Sequence, residues 1–193
     1  MTPTTPFLIR PGSTADDDAP TRRAVERLAA AGEYEKIAPG AYVPTGSVDD
    51  TVAAWLALAT RRPDVTICLM SAAALHDLTD EIPRTSHLAL PRPARALKTE
   101  FAPITWHFFA KSTFDIGRDS YPLPGGQSIG LYSAERTIID LFRLRHTHGE
   151  DLAVAALKTW LGRRTSRPGS LLTMAGNFPT AQPEIRRVLE VLL

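Results

Sequence analysis

Arg22, Arg23 and Arg27 crowd a segment with helical spacing, and Lys36 follows in a strand-turn-strand pattern closed by Pro39-Gly40. Side chains of these types bind anions. A guanidinium fork meets a phosphate or a guanine edge through parallel hydrogen bonds, and an ammonium acts as a compact point charge. The pattern matches the last helix and wing of a winged-helix DNA reader, whose helix enters the major groove. Arg22, Arg23, Arg27, Lys36 and Gly40 are the candidate DNA-binding residues. Glu26, Glu33 and Glu35 cancel part of this charge, so a solvated helical hairpin, or a module that binds a partner without DNA, also fits the spacing.

Two further groups of cations stand out. The segment 91–98, Pro-Arg-Pro-Ala-Arg-Ala-Leu-Lys, places Arg92, Arg95 and Lys98 between two predicted strands, with no acid before Glu100. Its prolines stiffen it and reduce the entropy lost on docking to an anionic partner. In a predicted helix at 134–145, Arg136, Asp140 and Arg143 align at i, i+4 and i+7, while Ile138, Leu141 and Phe142 mark the core side. The simplest reading is a surface ion-pair ladder. Residues 136–167 hold seven Lys or Arg against three Asp or Glu, and Arg186 and Arg187 follow. That surplus suits an acidic protein surface or nucleic acid.

Bond-making chemistry has no comparable foothold. None of His76, His87, His107, His146 and His148 sits at HExxH spacing, His146 and His148 offer only weak chelation and read as solvated, and one cysteine cannot build a structural zinc site. His87 and His107 fall in predicted strands as core or half-buried residues. A metal-dependent nuclease needs converging strand-borne acids with a Lys nearby; Lys98-Thr99-Glu100 offers one acid and one Lys, while Asp80 and Glu81 read as a solvated turn. Ser71 and Ser133 read as helix caps, and neither a nucleophile elbow nor a phosphate-cradling glycine loop is present. The reading is of a protein without catalytic residues, metal or cofactor; a nucleic-acid-processing enzyme is the weaker alternative.

The elements that must position these residues follow from periodicity and punctuation. Residues 1–19, with their prolines and the Asp16–Asp18 triplet, read as a flexible tail, although Phe7-Leu8-Ile9 can form a short strand. A helix over 21–31 stops at Gly32, and strands at 34–37 and 41–43 flank the Pro39-Gly40 turn. Helices are predicted at 51–60 and, capped by Ser71, at 72–78, with a buried apolar run at 65–70. Strands follow at 87–90, 104–110 and 128–132, then helices at 134–145, 151–161 and 183–193. Strands in the middle and helices at the end give an α+β protein rather than a doubly wound sheet.

Bulk properties narrow the classes. The 193 residues are 44% hydrophobic and 22% charged, with a formal net charge of +1, which argues against a chain that coats nucleic acid by charge alone. The lone Cys68 lies in an apolar run, so a reducing compartment is expected. No signal-peptide core and no run of about 20 apolar residues is present, and the expectation is a cytoplasmic protein without a membrane role.

Four segments in order, RRAVERLAAAGEYEKIAPGAYVP, SAAALHDLTDEIPRTSHLALPRPAR, YSAERTIIDLFRLR and GEDLAVAALKTWL, resemble the AbiEi family of antitoxins from type IV toxin–antitoxin systems, associated with abortive infection and phage defence. The resemblance runs from about residue 21 to the end. It implies a transcriptional regulator whose winged helix binds inverted repeats in its own promoter, and whose C-terminal domain counteracts a nucleotidyltransferase-like toxin. It places Arg22, Arg23 and Arg27 on the recognition helix and Lys36, Pro39, Gly40 and Tyr42 on the wing. Arg92, Arg95, Lys98, Arg136 and Arg143 fall in the C-terminal domain as a toxin- or DNA-facing basic surface. The implied division is a tail at 1–19, a partial winged helix at 20–48, truncated because only about twenty residues precede its helix, and an antitoxin domain at 49–193 with a small sheet and C-terminal helices.

Overall fold

The computed structural model describes residues 21–193; the tail and the short strand expected before residue 20 lie outside the described residues. The chain is a mixed α+β protein with a two-stranded sheet, a five-stranded mixed sheet and helices at its C-terminal end. It divides into two compact units. The described part of the first comprises residues 21–65, 97–103 and 121–129; the second comprises 66–96, 104–120 and 130–193.

In the first unit, helix α1 (Arg22–Ala30) begins at Thr21, whose hydroxyl accepts from the Ala24 amide at 3.3 Å. It ends in a Schellman motif: Gly32, at φ +77°, donates to Ala29 O at 3.1 Å and Glu33 to Leu28 O at 3.0 Å. Strands β1 (Tyr34–Ala38) and β2 (Ala41–Pro44) pair antiparallel around Pro39-Gly40, with Gly40 at φ +73°. Val25, Tyr34 and Tyr42 bury together, with Leu28 and Ala29 packed against them, which fastens the helix to the hairpin. Helix α2 (Asp50–Ala59), capped by the Asp49 carboxylate, packs against β1. The unit therefore runs past residue 48. Trp55 of α2 meets Tyr121 edge-on at 6.1 Å.

In the second unit, β3 (Thr66–Ile67) leads into α3 (Leu69–Leu75). This helix starts three residues earlier than a Ser71 cap requires. Ser71 is inside it, and its hydroxyl accepts from the His87 amide at 2.9 Å. A short polar residue here serves the neighbouring strand, β4 (Ser86–Pro91), instead of the helix end. The strands β5 (Ile104–Phe109), β6 (Arg118–Leu123) and β7 (Gln127–Tyr132) complete a sheet of order β5-β4-β3-β7-β6, with α4 (Lys111–Phe114) between β5 and β6 in the chain; residues 121–129 of β6, β7 and their turn count with the first unit. Strand β3 is antiparallel to β4 and parallel to β7, and β4 is parallel to β5. Strand β6 escapes sequence reading because RDSYPL carries charge and Pro122; its edge position tolerates the missing amide.

The helices α5 (Ala134–Arg143), α6 (Arg145–His148), α7 (Glu150–Leu161), α8 (Pro168–Ala175) and α9 (Gln182–Leu192) close the chain. The predicted helix at 134–145 thus divides after Arg143. Helix α8 hides in the sequence because Pro168-Gly169 reads as a turn, although proline at a first helical position is favourable. Helix α5 is the centre of this unit: α3, α7, α8 and α9 all pack against it. Its neighbours supply Leu157, Trp160, Leu171, Ala175, Ile185 and Leu189 to one buried cluster.

Candidate nucleic-acid interface

On α1 the burial of Val25 turns Arg22, Arg23 and Arg27 outward, and all three are exposed. Arg22 Nε donates to Glu26 Oε1 at 2.9 Å, an exposed i,i+4 pair. Arg23 and Arg27 have no carboxylate partner among the described residues. Lys36 is exposed on β1, and Gly40 shapes the turn next to it. The register slips between Lys36, opposite Tyr42, and Ala38, opposite Ala41, so Ile37 occupies a bulge that bends the strand.

The structure brings Lys36 together with residues distant in sequence. The hairpin, the end of α2 and the segment 97–103 line a groove of about 270 Å³ that includes Lys36, Arg61, Lys98 and Glu100. Arg61 Nη1 donates to the Lys98 carbonyl oxygen at 3.0 Å, which ties the segment to the residues just beyond α2. Sequence reading misses Arg61, because Arg61-Arg62-Pro63 reads only as a helix stop. Arg62 is the arginine of that pair that meets a carboxylate, Asp64, with its Nε donating to Oδ1 at 2.9 Å.

The basic segment 91–98 does not act as one piece. Arg92 and Arg95 are exposed in the second unit, while Lys98 belongs to the first. The predicted ladder on α5 is corrected outright. Spacing places Arg136 and Asp140 on the surface; both side chains are 0% exposed, and Arg143 retains 22%. Arg136 Nε donates to Asp140 Oδ2 at 2.9 Å, and its Nη1 donates to the Thr113 and Ile116 carbonyls at 2.7 and 2.6 Å. Arg143 Nη1 donates to Asp140 Oδ1 at 2.5 Å. The Arg136 guanidinium carbon lies 4.1 Å from the Tyr132 ring centre and 4.6 Å from that of Phe178, and its Nη2 is buried without a hydrogen-bond partner among the described residues. Four helices pack around α5, so Arg136 and Asp140 are shut away from water and only Arg143 keeps a partly exposed side chain. Arg136 is therefore no toxin- or DNA-facing residue, and Arg143 is already engaged.

Burial raises the Asp140 carboxyl above its usual range, and the two guanidinium groups oppose that rise. Burial, reinforced by Asp140, pushes the Cys68 thiol well up. Elsewhere in this unit, Arg163 caps the end of α3 by donating to His76 O and, at 2.9 Å, to Asp77 O. Arg187 pairs with Glu184 and Glu150, so neither it nor Arg163 is a free surface cation. Lys158, Arg164, Arg167 and Arg186 are exposed. His87 and His107 are half-buried on adjacent strands, with Nδ1 and Nε2 3.1 Å apart and stacked rings. Among the described residues no three His, Cys, Asp or Glu gather closely enough to hold a metal ion.

No family model matches the chain, and no curated protein matches it significantly. Among solved structures it is similar to the RV2827C protein from Mycobacterium tuberculosis, with a TM-score of 0.56 and 15% sequence identity over 87% of this chain. This chain spans 64% of that protein's length. At such identity the likeness is one of fold alone. No helix among the described residues is long and apolar enough to cross a membrane.

Proposed function

We propose that this chain is the antitoxin of a type IV toxin–antitoxin system, which neutralises a nucleotidyltransferase-like toxin and represses its own operon by binding promoter DNA. It acts by binding, without catalysis. The observation that carries the reading is the α1–hairpin unit: a nine-residue helix with three exposed arginines, clamped to a Pro-Gly hairpin that presents Lys36. This supports a helix that reads base edges and a wing that meets phosphate. The four sequence segments that resemble AbiEi antitoxins supply the toxin as functional partner.

Co-expression with the toxin gene next to its own is the test. Cells should escape growth arrest when this chain is present, and continued arrest would sink the assignment. Repression and neutralisation are separable on this reading. The triple variant R22Q/R23Q/R27Q should lose promoter binding in gel shifts while still protecting cells.

The Arg22–Glu26 pair favours a second reading, since it lowers the charge α1 presents. On that reading the chain is a partner-binding module with no DNA role, and its apparent affinity for promoter DNA would show a salt slope near zero.

A further inference from the structure

The groove beside the hairpin has a composition that α1 lacks. Lys36, Arg61 and Lys98 line it against the single carboxylate of Glu100, and none of the three cations has a carboxylate partner among the described residues. The hydrogen bond from Arg61 to the Lys98 carbonyl spends one N–H without neutralising the guanidinium, and it holds the segment 97–103 in place. The remaining wall is largely apolar, with Ile37 and Phe101. Cations set in a low-dielectric wall present a stronger field to an anion than the same cations on open surface. At about 270 Å³ the groove is smaller than the roughly 300–1,000 Å³ sites that enclose a whole small molecule.

We propose that this groove seats the backbone phosphates of nucleic acid, with Lys36, Arg61 and Lys98 as the phosphate-contacting residues and Glu100 as the group that tempers affinity. The proposal rests on the DNA-binding reading above and adds to it a sequence-independent anchor apart from α1. Lysine offers three donors and arginine a planar fork, both suited to phosphodiester oxygens. Contacts of this kind set orientation and affinity, leaving sequence discrimination to the helix.

Fluorescence anisotropy with the full chain, the promoter duplex and a scrambled duplex of equal length, over a salt series, tests it. Substituting Lys36→Gln and Lys98→Gln together should reduce the slope of log K against log salt by about two, equally on both duplexes. Glu100→Gln should tighten binding several-fold on both, an outcome misfolding cannot produce. Matching melting temperatures would establish that the variants fold. An unchanged slope in the Lys36/Lys98 variant overturns the groove; if R22Q/R23Q/R27Q still abolishes promoter preference, the DNA-binding reading survives. Calorimetric binding of free pyrophosphate by the wild type, with DNA affinity indifferent to Lys36 and Lys98, assigns the groove to a small anion and overturns the nucleic-acid proposal. Failure of the wild type to bind either duplex overturns both.

Discussion

At the scale of single residues, an arginine–carboxylate pair at one spacing does opposite things in two places. Arg22 and Glu26 form an exposed i,i+4 pair, worth about 0.3–0.5 kcal/mol and screened by salt. Arg136 and Asp140 have the same spacing inside the protein, where losing Arg136 leaves the buried Asp140 with Arg143 alone to balance its charge. Arg136→Met should therefore destabilise by about 3–5 kcal/mol, because Asp140 loses one of two guanidinium partners and two carbonyls lose their donor. Urea unfolding midpoints check this, and R136M/D140L should lie closer to wild type than R136M alone, since replacing the buried pair leaves only the partly exposed Arg143 without its carboxylate. Cys68 adds a pH signature. Its folded pKa lies well above the ordinary 9.0, so the unfolded chain releases that proton first. Stability from this group is complete below about pH 9 and is lost as pH rises further. Thermal melts in that range should fall more steeply for wild type than for Cys68→Ala, and a thiol reagent at pH 8 should label Cys68 only after denaturant is added.

At the scale of elements, glycine positions separate turn strain from packing. Gly40 sits at φ +73° with nothing within 4 Å of where a Cβ would stand, so Gly40→Ala meets only the left-handed backbone penalty, about 1–2 kcal/mol. Gly117, at φ +65°, would place a Cβ 2.8 Å from Arg136 Cβ, adding a clash with the buried pair to the same strain. Gly117→Ala should therefore lose more stability than Gly40→Ala, by about 1–3 kcal/mol in denaturant titrations. The hairpin can tolerate its change because it packs against α1 through only a few side chains. The loop before β6 has no such slack, since the hydrogen bond from Arg136 to the Ile116 carbonyl pins it to the centre of the core.

At the scale of the whole molecule, a net charge of +1 means that DNA affinity must come from local groups. The three arginines of α1 and the three groove cations allow about six phosphate contacts at most, so the salt slope on promoter DNA should be no steeper than about −5. A steeper slope would demand cations from elsewhere, such as Arg92 and Arg95. Those two residues lie in the other compact unit from Lys98, although only a few positions separate them in the chain.

Local features were legible in the sequence because neighbours along the chain cause them. Gly32 stops α1, Pro39-Gly40 turns the hairpin, and the spacing of Ile185, Val188, Leu189 and Leu192 makes α9, all through interactions within a few residues. The α+β class followed from the order of such segments. Tertiary packing alone decided which side of an amphipathic pattern faces water. The i, i+4, i+7 spacing of Arg136, Asp140 and Arg143 is identical for a solvated ladder and a buried one, and the four helices around α5 made it buried. Packing also joined Lys36, Arg61 and Lys98, which chain distance hides, by folding three separate segments around one groove.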